Sequence, residues 1–403
     1  MGLWEKLFEP MDIKNNQHAT YDFTVDTKSL YIHWPFCPYK CHFCPFVALV
    51  GHDQYMPAYH QALCQEIQNF MDNYQGDKHL ESIFIGGGTP STYPLDLLLE
   101  LFELLKKKFI IGPETEIVIE VNPGTVTPDH LVAWRQAGIN RVSIGVQTIK
   151  SDVLKNFNRL HDQTDVYRLL GQVTSVTENI SVDLILGLPG VSPCDWKNLI
   201  NEVVTWPIKH VSIYLLTIHE GTPLFFDVRR KRVSLASDDL IADLYSWTVE
   251  FLATHGIYRY EVSNFAKPGY ASLHNKIYWQ RKSYRGFGIG ACSFDGHSRY
   301  RNQIVLQKYL DGIQNGQSIT NFSETLSVDD ARLEKVMLGL RQADGLSIAE
   351  LFAEQSVMQQ VAGLELLKLL EQEQLLTINH DRCLLTSKGL LVENEIVVRV
   401  TNI

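Results

Sequence analysis

The stretch Cys37-Pro38-Tyr39-Lys40-Cys41-His42-Phe43-Cys44 places three cysteines at the spacing C-x₃-C-x₂-C, directly after a largely apolar run. Three thiols so close along the chain can converge on one face of a metal cluster. A [4Fe–4S] cube is held by cysteine thiolates, and three of them leave one iron open to a small molecule. Zinc sites usually take four ligands in paired short spacings, and no second C-x₂-C follows here. The stretch therefore favours an iron–sulfur cluster over zinc.

An open iron that can take an amino and a carboxylate group is typical of radical S-adenosylmethionine (SAM) chemistry. There, the reduced cluster splits SAM into methionine and a 5′-deoxyadenosyl radical. The three cysteines thus predict both a [4Fe–4S] cluster and SAM as cofactors.

Around this stretch, short apolar runs alternate with helical patterns. A helical spacing joins Tyr55 to Phe70, and a second helix is predicted over Leu95–Lys108. Buried strands separated by helices of this length indicate a parallel sheet, here a partial (β/α)₆ barrel with its working groups at the carboxyl ends of the strands. The predicted strands are Leu30–His33, Ser82–Gly86, Glu116–Val121, Arg141–Val146, Ile180–Leu186 and His210–Leu215.

Composition argues against several classes of protein. The chain has 403 residues, 45% hydrophobic side chains and a net charge of −10, which argues against a sequence-independent grip on nucleic acid. Seven cysteines, three of them clustered, fit a reducing compartment. No apolar run reaches the roughly 18 residues of a membrane span, and no signal peptide is apparent. We therefore expect a cytoplasmic protein.

Four regions are predicted along the chain. Residues 1–28 form a polar leader with Leu3, Trp4, Leu7 and Phe8 as its apolar cluster, which either covers the core or contacts a surface, including a transient membrane contact. The barrel spans residues 29–265 and a connecting segment spans 266–319. Residues 320–403 are predicted to form a smaller α+β, winged-helix-like domain, with helices near Asp329–Gln342, Ser347–Ala353 and Gln359–Gln372 and a hairpin turning at Asn379–Asp381. With 13 acidic and 7 basic side chains, this module favours a lid or docking role over DNA binding.

Polar groups follow several predicted strands. Gly86-Gly87-Gly88-Thr89-Pro90 follows the second strand, and its glycines let a backbone approach a ligand closely, which suits the aminocarboxyl end of SAM. Glu120 ends the third strand, where a carboxylate can accept hydrogen bonds from a ribose diol. Gln147 ends the fourth strand, and its amide can reach the same nucleoside. Asp183 lies in an apolar run, so we expect it to have a partner such as Arg159 or a ligand hydroxyl.

These motifs together resemble the oxygen-independent coproporphyrinogen dehydrogenase superfamily, and within it the HemW branch of haem chaperones. The likeness runs from about residue 29 to the C-terminus and rests on Tyr31–Cys37, the cysteine triplet, Gly86–Pro90, Glu120–Gly124, Gly145–Gln147, Asp183–Gly190 and Tyr260–Phe265. The resemblance implies that Cys37, Cys41 and Cys44 ligate the cluster, with Tyr31 and Phe43 beside it. It further implies that SAM is contacted by Gly88, Thr89, Glu120, Gln147, Arg159 and Asp183.

Two features favour the chaperone branch. The decarboxylating enzymes have another cysteine two positions after the triplet, and here that position is Phe46. His274-Asn275-Lys276-Ile277-Tyr278-Trp279 matches the HNxxYW pattern associated with haem in that branch. An imidazole can ligate haem iron, while Tyr and Trp offer flat faces to a porphyrin, so His274 is predicted to contact haem; a satisfied core histidine is the alternative.

The resemblance implies a protein that binds haem and delivers it to respiratory haem proteins. The alternative is oxidative decarboxylation of coproporphyrinogen III, against which Phe46 argues; a nucleic-acid-binding regulator and a radical enzyme on another substrate are weaker. Cys64, Cys194, Cys292 and Cys383 are scattered and expected to be ordinary thiols, with a position of Cys292 near the pocket as the alternative. The basic run 229–232 is expected to be a solvated loop, or else a partner for haem propionates.

Overall fold

The barrel is built from six parallel strands that neighbour one another in chain order. The structure, a computed structural model, describes residues 21–353 and 355–402. The strands are β1 (Ser29–Trp34), β2 (Ser82–Gly87), β3 (Glu116–Val121), β4 (Arg141–Gln147), β5 (Ile180–Leu186) and β6 (His210–Leu215). Their apolar residues are buried between outer helices and the barrel interior, as parallel strands require.

The helices that connect these strands cover the outside of the barrel. They are α1 (Met56–Asn73), α2 (Leu95–Lys108), α3 (Pro128–Ala137), α4 (Ser151–Asn156), α5 (Gln163–Val173) and α6 (Pro193–Val203). N-terminal caps stabilise two of these helices. Asp162 and Ser192 each accept a hydrogen bond from a backbone N–H in the first turn of α5 and α6, and Pro193 occupies the first position of α6. The apolar faces of these helices join the strands in one hydrophobic core.

The sheet continues beyond β1 and β6, which the sequence pattern did not predict. After α7 (Pro223–Arg229) and α8 (Asp238–Thr254), the chain forms strands β7 (Tyr258–Glu261) and β8 (Asn264–Ala266); β8 pairs antiparallel with β6, and β7 pairs antiparallel with β8. Following α9 (Leu273–Trp279), the strand β9 (Tyr284–Phe287) pairs parallel to β1. Strands β10 (Cys292–Phe294), β11 (Ser298–Asn302) and, after α10 (Leu306–Gln314), β12 (Thr320–Thr325) complete a 12-stranded sheet. Residues 266–319 are therefore part of the barrel wall rather than a connector.

A smaller unit follows β12 and has its own hydrophobic core. Its elements are α11 (Val328–Leu340), β13 (Leu346–Ser347), α12 (Ile348–Leu351), α13 (Val357–Gln372), β14 (Leu376–Asn379), β15 (Arg382–Leu385), α14 (Ser387–Leu391) and α15 (Glu393–Thr401). Helices followed by the β14–β15 hairpin give the winged-helix-like arrangement expected from sequence, with β13 as a third strand. The fold is thus α/β, a partial barrel with a smaller α+β unit.

The small unit contacts both edges of the barrel sheet. On one side, Ala343 N–H donates to Tyr260 O (2.9 Å) and Gln342 bridges to Glu261 of β7. Near the other edge, Glu334 of α11 pairs with Arg299 of β11 and with Arg281 (3.3 Å), in the loop before β9. The small unit therefore contacts strands near both ends of the sheet.

The structure describes the N-terminal segment only from residue 21 onward. The apolar cluster predicted within residues 1–28 lies outside the described residues, but Tyr21 and Thr27 at the end of this segment are buried and hydrogen-bonded to each other (3.0 Å). Among the helices that the structure describes, none is both long and apolar enough to cross a membrane.

Inward-facing side chains form layers inside the barrel. We call the layer at the amino ends of the strands the floor; it consists of Ser29, Ser82, Glu116, Arg141, Ser181 and His210. We call the opposite end, where the strands finish and the cysteine loop begins, the rim. In α/β barrels chemistry is located at the carboxyl ends of strands, so the rim is where a site is expected.

Candidate functional site at the barrel rim

The three cysteines lie in the loop that leaves the carboxyl end of β1. Backbone hydrogen bonds hold this loop across its base: Cys37 N–H donates to Leu49 O (3.0 Å), and Leu49 N–H donates to Pro35 O (2.8 Å). Cys37 and Cys41 are buried, Cys44 is half-buried, and all three thiols are free. The loop therefore presents three thiols above the first strand of the barrel.

The donor set of this loop fits a [4Fe–4S] cluster. Each cysteine of a cube binds a different iron, so the thiols need not meet at one point. Within the described ranges, no group of three or more His, Cys, Asp or Glu side chains surrounds a single metal position. The Arg159 guanidinium donates to Cys41 Sγ (3.6 Å) and brings positive charge to thiols that ionise on binding iron. Burial raises the pKa of the Cys44 thiol to about 11, so iron must displace its proton.

The glycine segment packs directly against the cysteine loop. Gly88 N–H donates to Trp34 O (2.7 Å) and Thr89 N–H donates to Phe36 O (2.9 Å), so this backbone runs beside the start of the loop. A Cβ on Gly88 would lie 2.5 Å from Pro35 O, and Gly87 has φ 122°. Glycine is thus required here for close backbone approach, whether or not the segment also holds a ligand.

Two half-buried carboxylates lie close to each other below the glycine segment. Glu120 accepts a hydrogen bond from Gly87 N–H (3.1 Å), and burial together with the nearby charge of Asp183 raises its pKa to about 8. Asp183 accepts hydrogen bonds from the Ser143 hydroxyl (3.0 and 3.1 Å). Burial also raises the pKa of Asp183. Two carboxylates with few fixed donors are suited to accept hydrogen bonds from a diol.

Of the two partners expected for Asp183, Arg159 makes no ion pair or hydrogen bond with it in the described structure, and a ligand hydroxyl stays a prediction. Asp183 takes serine hydroxyls as its partners, because β4 and β5 place Ser143 and Asp183 on adjacent inward positions. Arg159 instead donates to the Gly145 carbonyl, to Asn122 Oδ1 (3.2 Å) and to Cys41. Arg159 therefore joins the carboxyl ends of β3 and β4 to the cysteine loop.

Asn122, which the sequence argument did not single out, completes this network. Its amide donates to Thr89 Oγ1 (2.9 Å), and Thr89 Oγ1 lies 3.0 Å from Cys37 Sγ. Contacts therefore run from Cys37 through Thr89, Asn122 and Arg159 to Cys41. They link two of the three cysteines through three strand ends. The signal available in the sequence was the position of Asn122 in Asn-Pro-Gly, directly after a buried strand.

Polar groups converge above Gly145 of β4. A Cβ there would lie 3.1 Å from Asn122 Oδ1, 3.2 Å from Gln147 Nε2 and 3.3 Å from Arg159 Nη2. Gln147 has a left-handed backbone (φ 66°), which turns its amide back toward Gly145. Arg159 Nε is buried without a hydrogen-bond partner among the described residues. These amide and guanidinium groups are the donors that the rim offers to a polar ligand.

Two aromatic residues predicted beside the cluster occupy different surroundings. Tyr31 lies inside the barrel, where its hydroxyl is 3.0 Å from His33 Nδ1 and its ring stacks on Phe84. Phe43 packs against Phe157 (ring centroids 5.7 Å apart) in a small apolar cluster. Phe46, where decarboxylating relatives are expected to have cysteine, is 63% exposed.

His274 lies at the floor, at the opposite end of the barrel from the cysteines. Its Nδ1 is 2.8 Å from Ser29 Oγ and 2.9 Å from Ser82 Oγ, and its Nε2 is 2.8 Å from the Tyr278 hydroxyl. The ring also stacks on Phe84, and burial lowers its pKa to about 3. Both ring nitrogens are engaged, so this conformation matches the alternative of a satisfied core histidine and leaves no lone pair for iron.

The rest of the HNxxYW helix is anchored in the same layer. Glu116 accepts hydrogen bonds from the Ser272 hydroxyl and His274 N–H (3.0 Å each), and its other oxygen pairs with Arg141 (3.3 Å). Asn275 donates to the Tyr260 hydroxyl (3.2 Å). Helix α9 therefore closes the bottom of the barrel, a role that its sequence pattern did not predict.

A parallel β/α barrel with a three-cysteine loop after its first strand, a glycine segment after its second and a carboxylate at the end of its third defines a radical SAM protein. Comparisons with known proteins agree. The profile of the Radical SAM superfamily matches residues 31–203, and the profile of the HemN C-terminal domain matches residues 326–392. Membership of this superfamily implies a [4Fe–4S] cluster and SAM.

Comparisons with individual proteins narrow the assignment to one family of radical SAM proteins. "Heme chaperone HemW" of Bacillus subtilis is 33% identical over 92% of this chain and 98% of its own length. The mitochondrial "Radical S-adenosyl methionine domain-containing protein 1" of Danio rerio is 30% identical over 83% of this chain and 78% of its own. The structure of coproporphyrinogen III oxidase (HemN) of Escherichia coli aligns with TM-score 0.77 and 24% identity over 94% of this chain and 91% of its own, a likeness of fold. The chain belongs to the HemW family of radical SAM proteins.

Proposed function

We propose that this protein is a haem chaperone that binds a [4Fe–4S] cluster, SAM and haem and passes haem to respiratory haem proteins. The observation that carries the proposal is the 33% identity to a relative named as a haem chaperone over 92% of the chain. Phe46, in place of a further cysteine, supports the same choice.

The proposed SAM site uses the rim network. Cys37, Cys41 and Cys44 would hold the cluster, which supplies reductive cleavage of SAM when both are bound. Gly88 and Thr89 would line the aminocarboxyl end of SAM. The remaining predicted contacts are Glu120, Gln147, Arg159 and Asp183.

The carboxylate pair gives this proposal a chemical test of its own. A ribose diol that donates hydrogen bonds to Glu120 would favour its ionised form over the protonated form. Because burial raises the pKa of Glu120 to about 8, SAM binding near neutral pH should release a proton. Isothermal calorimetry in buffers of different ionisation enthalpy counts the protons released; Glu120→Gln should release one fewer than the unaltered chain, and equal release by both would place Glu120 outside the site.

Oxidative decarboxylation of coproporphyrinogen III is the alternative function, which the HemN-like fold accommodates in general terms. The two functions separate in one pair of assays on cluster-reconstituted protein under anaerobic, reducing conditions. We expect saturable one-to-one haem binding, followed by absorbance, and no carbon dioxide from coproporphyrinogen III. Turnover of coproporphyrinogen without haem binding would replace the chaperone proposal with the decarboxylase.

A further inference from the structure

The extension of the sheet past β1 presents one continuous face, which we call the arginine wall. Residues directly opposite each other on antiparallel strands place their side chains on the same face. Cys292 is opposite Arg301, and Phe294 is opposite Arg299. Across the next pair of strands, Phe322 is opposite Arg301 and Glu324 is opposite Arg299. The arginine wall consists of Cys292, Phe294, Arg299, Arg301, Phe322 and Glu324.

The arginine wall faces the barrel interior, because Phe294 is opposite Tyr284 and Tyr284 is opposite Ser29 of the floor. Burial raises the pKa of Tyr31, Tyr278 and Tyr284, which come from β1, α9 and β9, and the nearby Cys292 thiol adds to that rise. Cys292 is accessible, yet burial raises its pKa, as expected of a thiol that faces a space enclosed by protein. Cys292 and the aromatic residues of the interior therefore border the same space.

The arginines of the wall differ in their partners. Arg299 pairs with Glu324 (3.8 Å) and with Glu334 of the small unit. Arg301 has no carboxylate within ion-pair distance in the part of the chain that the structure describes, and its buried Nε has no hydrogen-bond partner there. Its guanidinium lies over the Phe322 ring (5.8 Å to the centroid). A partly buried cation with an unused donor is suited to an anionic group of a ligand.

Together these groups match the parts of an iron tetrapyrrole. Cysteine is one of the protein ligands that hold haem iron, and arginine pairs with carboxylates through planar, bidentate hydrogen bonds. Aromatic rings beside them offer flat contact surfaces. His274, by contrast, has both ring nitrogens engaged at the floor.

We propose that the arginine wall is the haem site of this protein, with Cys292 Sγ as a ligand to the iron and the Arg301 guanidinium paired with a propionate. This inference rests on the proposed haem-binding function and deepens it. As the sulfur–iron bond forms, the thiol proton leaves to solvent and the oxidation state of the ferric iron does not change.

The test is a titration of the full, cluster-reconstituted protein with ferric haem and, separately, with ferric haem dimethyl ester, which lacks the carboxylates. The variants are Cys292→Ser, Arg301→Gln and Arg301→Lys. Cys194→Ser, at another accessible thiol, and Arg168→Gln, at an exposed arginine of helix α5, are matched controls. Electron paramagnetic resonance identifies thiolate ligation of the ferric iron independently of affinity.

Cys292→Ser should abolish the thiolate signature, while Cys194→Ser keeps it. Arg301→Gln should weaken haem binding about tenfold or more and leave ester binding unchanged, while Arg301→Lys recovers part of the loss. A thiolate signature that survives Cys292→Ser, or equal haem affinity in Arg301→Gln and the unaltered chain, would overturn the site. Absence of haem binding by the unaltered chain would overturn the proposed function itself.

Discussion

The rim and the floor of the barrel are both rich in buried polar side chains, but they differ in how these groups are satisfied. At the floor, Arg141 donates to Glu116 and to the Tyr270 carbonyl, Glu116 also accepts from Ser272, and both ring nitrogens of His274 have partners. At the rim, Glu120 has a pKa raised to about 8 and Arg159 Nε has no partner in the described structure. A layer whose polar groups all have hydrogen-bond partners stabilises the barrel, whereas a layer with unpaired polar groups is suited to bind a ligand.

This difference separates residues that look alike in sequence. Asp183 and Glu116 are both acidic residues on buried strands, and Arg141 and Arg159 are both buried arginines. Only their position along the strand direction distinguishes them. The following changes test the contrast between rim and floor, beginning with the largest expected effect.

Cys37→Ala should remove the cluster completely, because three protein thiolates are the minimum that holds a cube with one open iron. Iron and sulfide analysis after anaerobic reconstitution, together with the visible absorbance of the cluster, measures the loss. Cys64→Ala, at a half-buried thiol of helix α1, is the matched control and should reconstitute normally. Iron and sulfide content in Cys37→Ala equal to that of the unaltered chain would remove Cys37 from the ligand set.

Arg141→Met should lower the free energy of unfolding by about 3–5 kcal/mol, because it leaves the Glu116 carboxylate buried without its cation. Lys106→Met is the control: it removes an exposed ion pair with Glu103 and should change stability by no more than about 0.5 kcal/mol. Urea unfolding of both variants gives the comparison. Equal stability losses would mean that the floor is not a structural layer.

His274→Ala should lower the free energy of unfolding by about 2–4 kcal/mol, since Ser29, Ser82 and Tyr278 lose a shared partner and a cavity forms. Burial lowers the pKa of His274 to about 3. Between about pH 6.5 and 3 only the unfolded state therefore binds this proton, and stability falls as pH falls. The variant should lose that part of the pH dependence.

The same variant tests whether His274 contacts haem. If His274 belongs to the floor alone, folded His274→Ala should keep the ligand signature of bound haem. Loss of haem binding with no loss of stability would instead restore the interpretation of His274 as a haem contact.

Glu120→Gln should raise the free energy of unfolding at pH 8 by roughly 1–2 kcal/mol while weakening SAM binding. Its raised pKa means that the native state keeps a proton which the unfolded state releases above about pH 4.5, so this carboxyl costs stability as pH rises toward 8. Urea unfolding at pH 5 and pH 8 measures the effect, with exposed Glu114→Gln as control. A stabilised variant with unchanged SAM affinity would place Glu120 outside the ligand site.

The core strands of the fold were predictable because their signal is local. Strands β3, β5 and β6 have the predicted bounds, and β1 differs by one residue at each end. Continuous apolar runs are what burial on both faces demands. Strands β9 to β11 escaped prediction because they are short and carry Arg285, Arg299 and Arg301 among their aromatic residues. Only their pairing with distant strands makes them part of the sheet.

In the candidate site, too, some residues could be predicted from sequence and others could not. The cysteines, Gly88 and Glu120 could be placed because each follows or ends a strand that the sequence reveals. Asn122 and Ser143 could not be singled out, because small polar side chains are common and their roles depend on contacts across strands. His274 was predicted to contact haem from its motif, whereas its partners Ser29 and Ser82 are far away in sequence.

The pairing of β1 with β9 has a consequence for the order in which the protein forms during synthesis. Ser29 lies beside Tyr284, so one edge of the strand that carries the cysteine loop stays open until most of the chain has left the ribosome. Pairings so remote in sequence form late, because a long loop must close first. The loop and its glycine neighbour can assemble early, but the interior that they overlook is enclosed only afterwards. The cysteine loop therefore lies at an open edge of the nascent sheet until β9 pairs with β1.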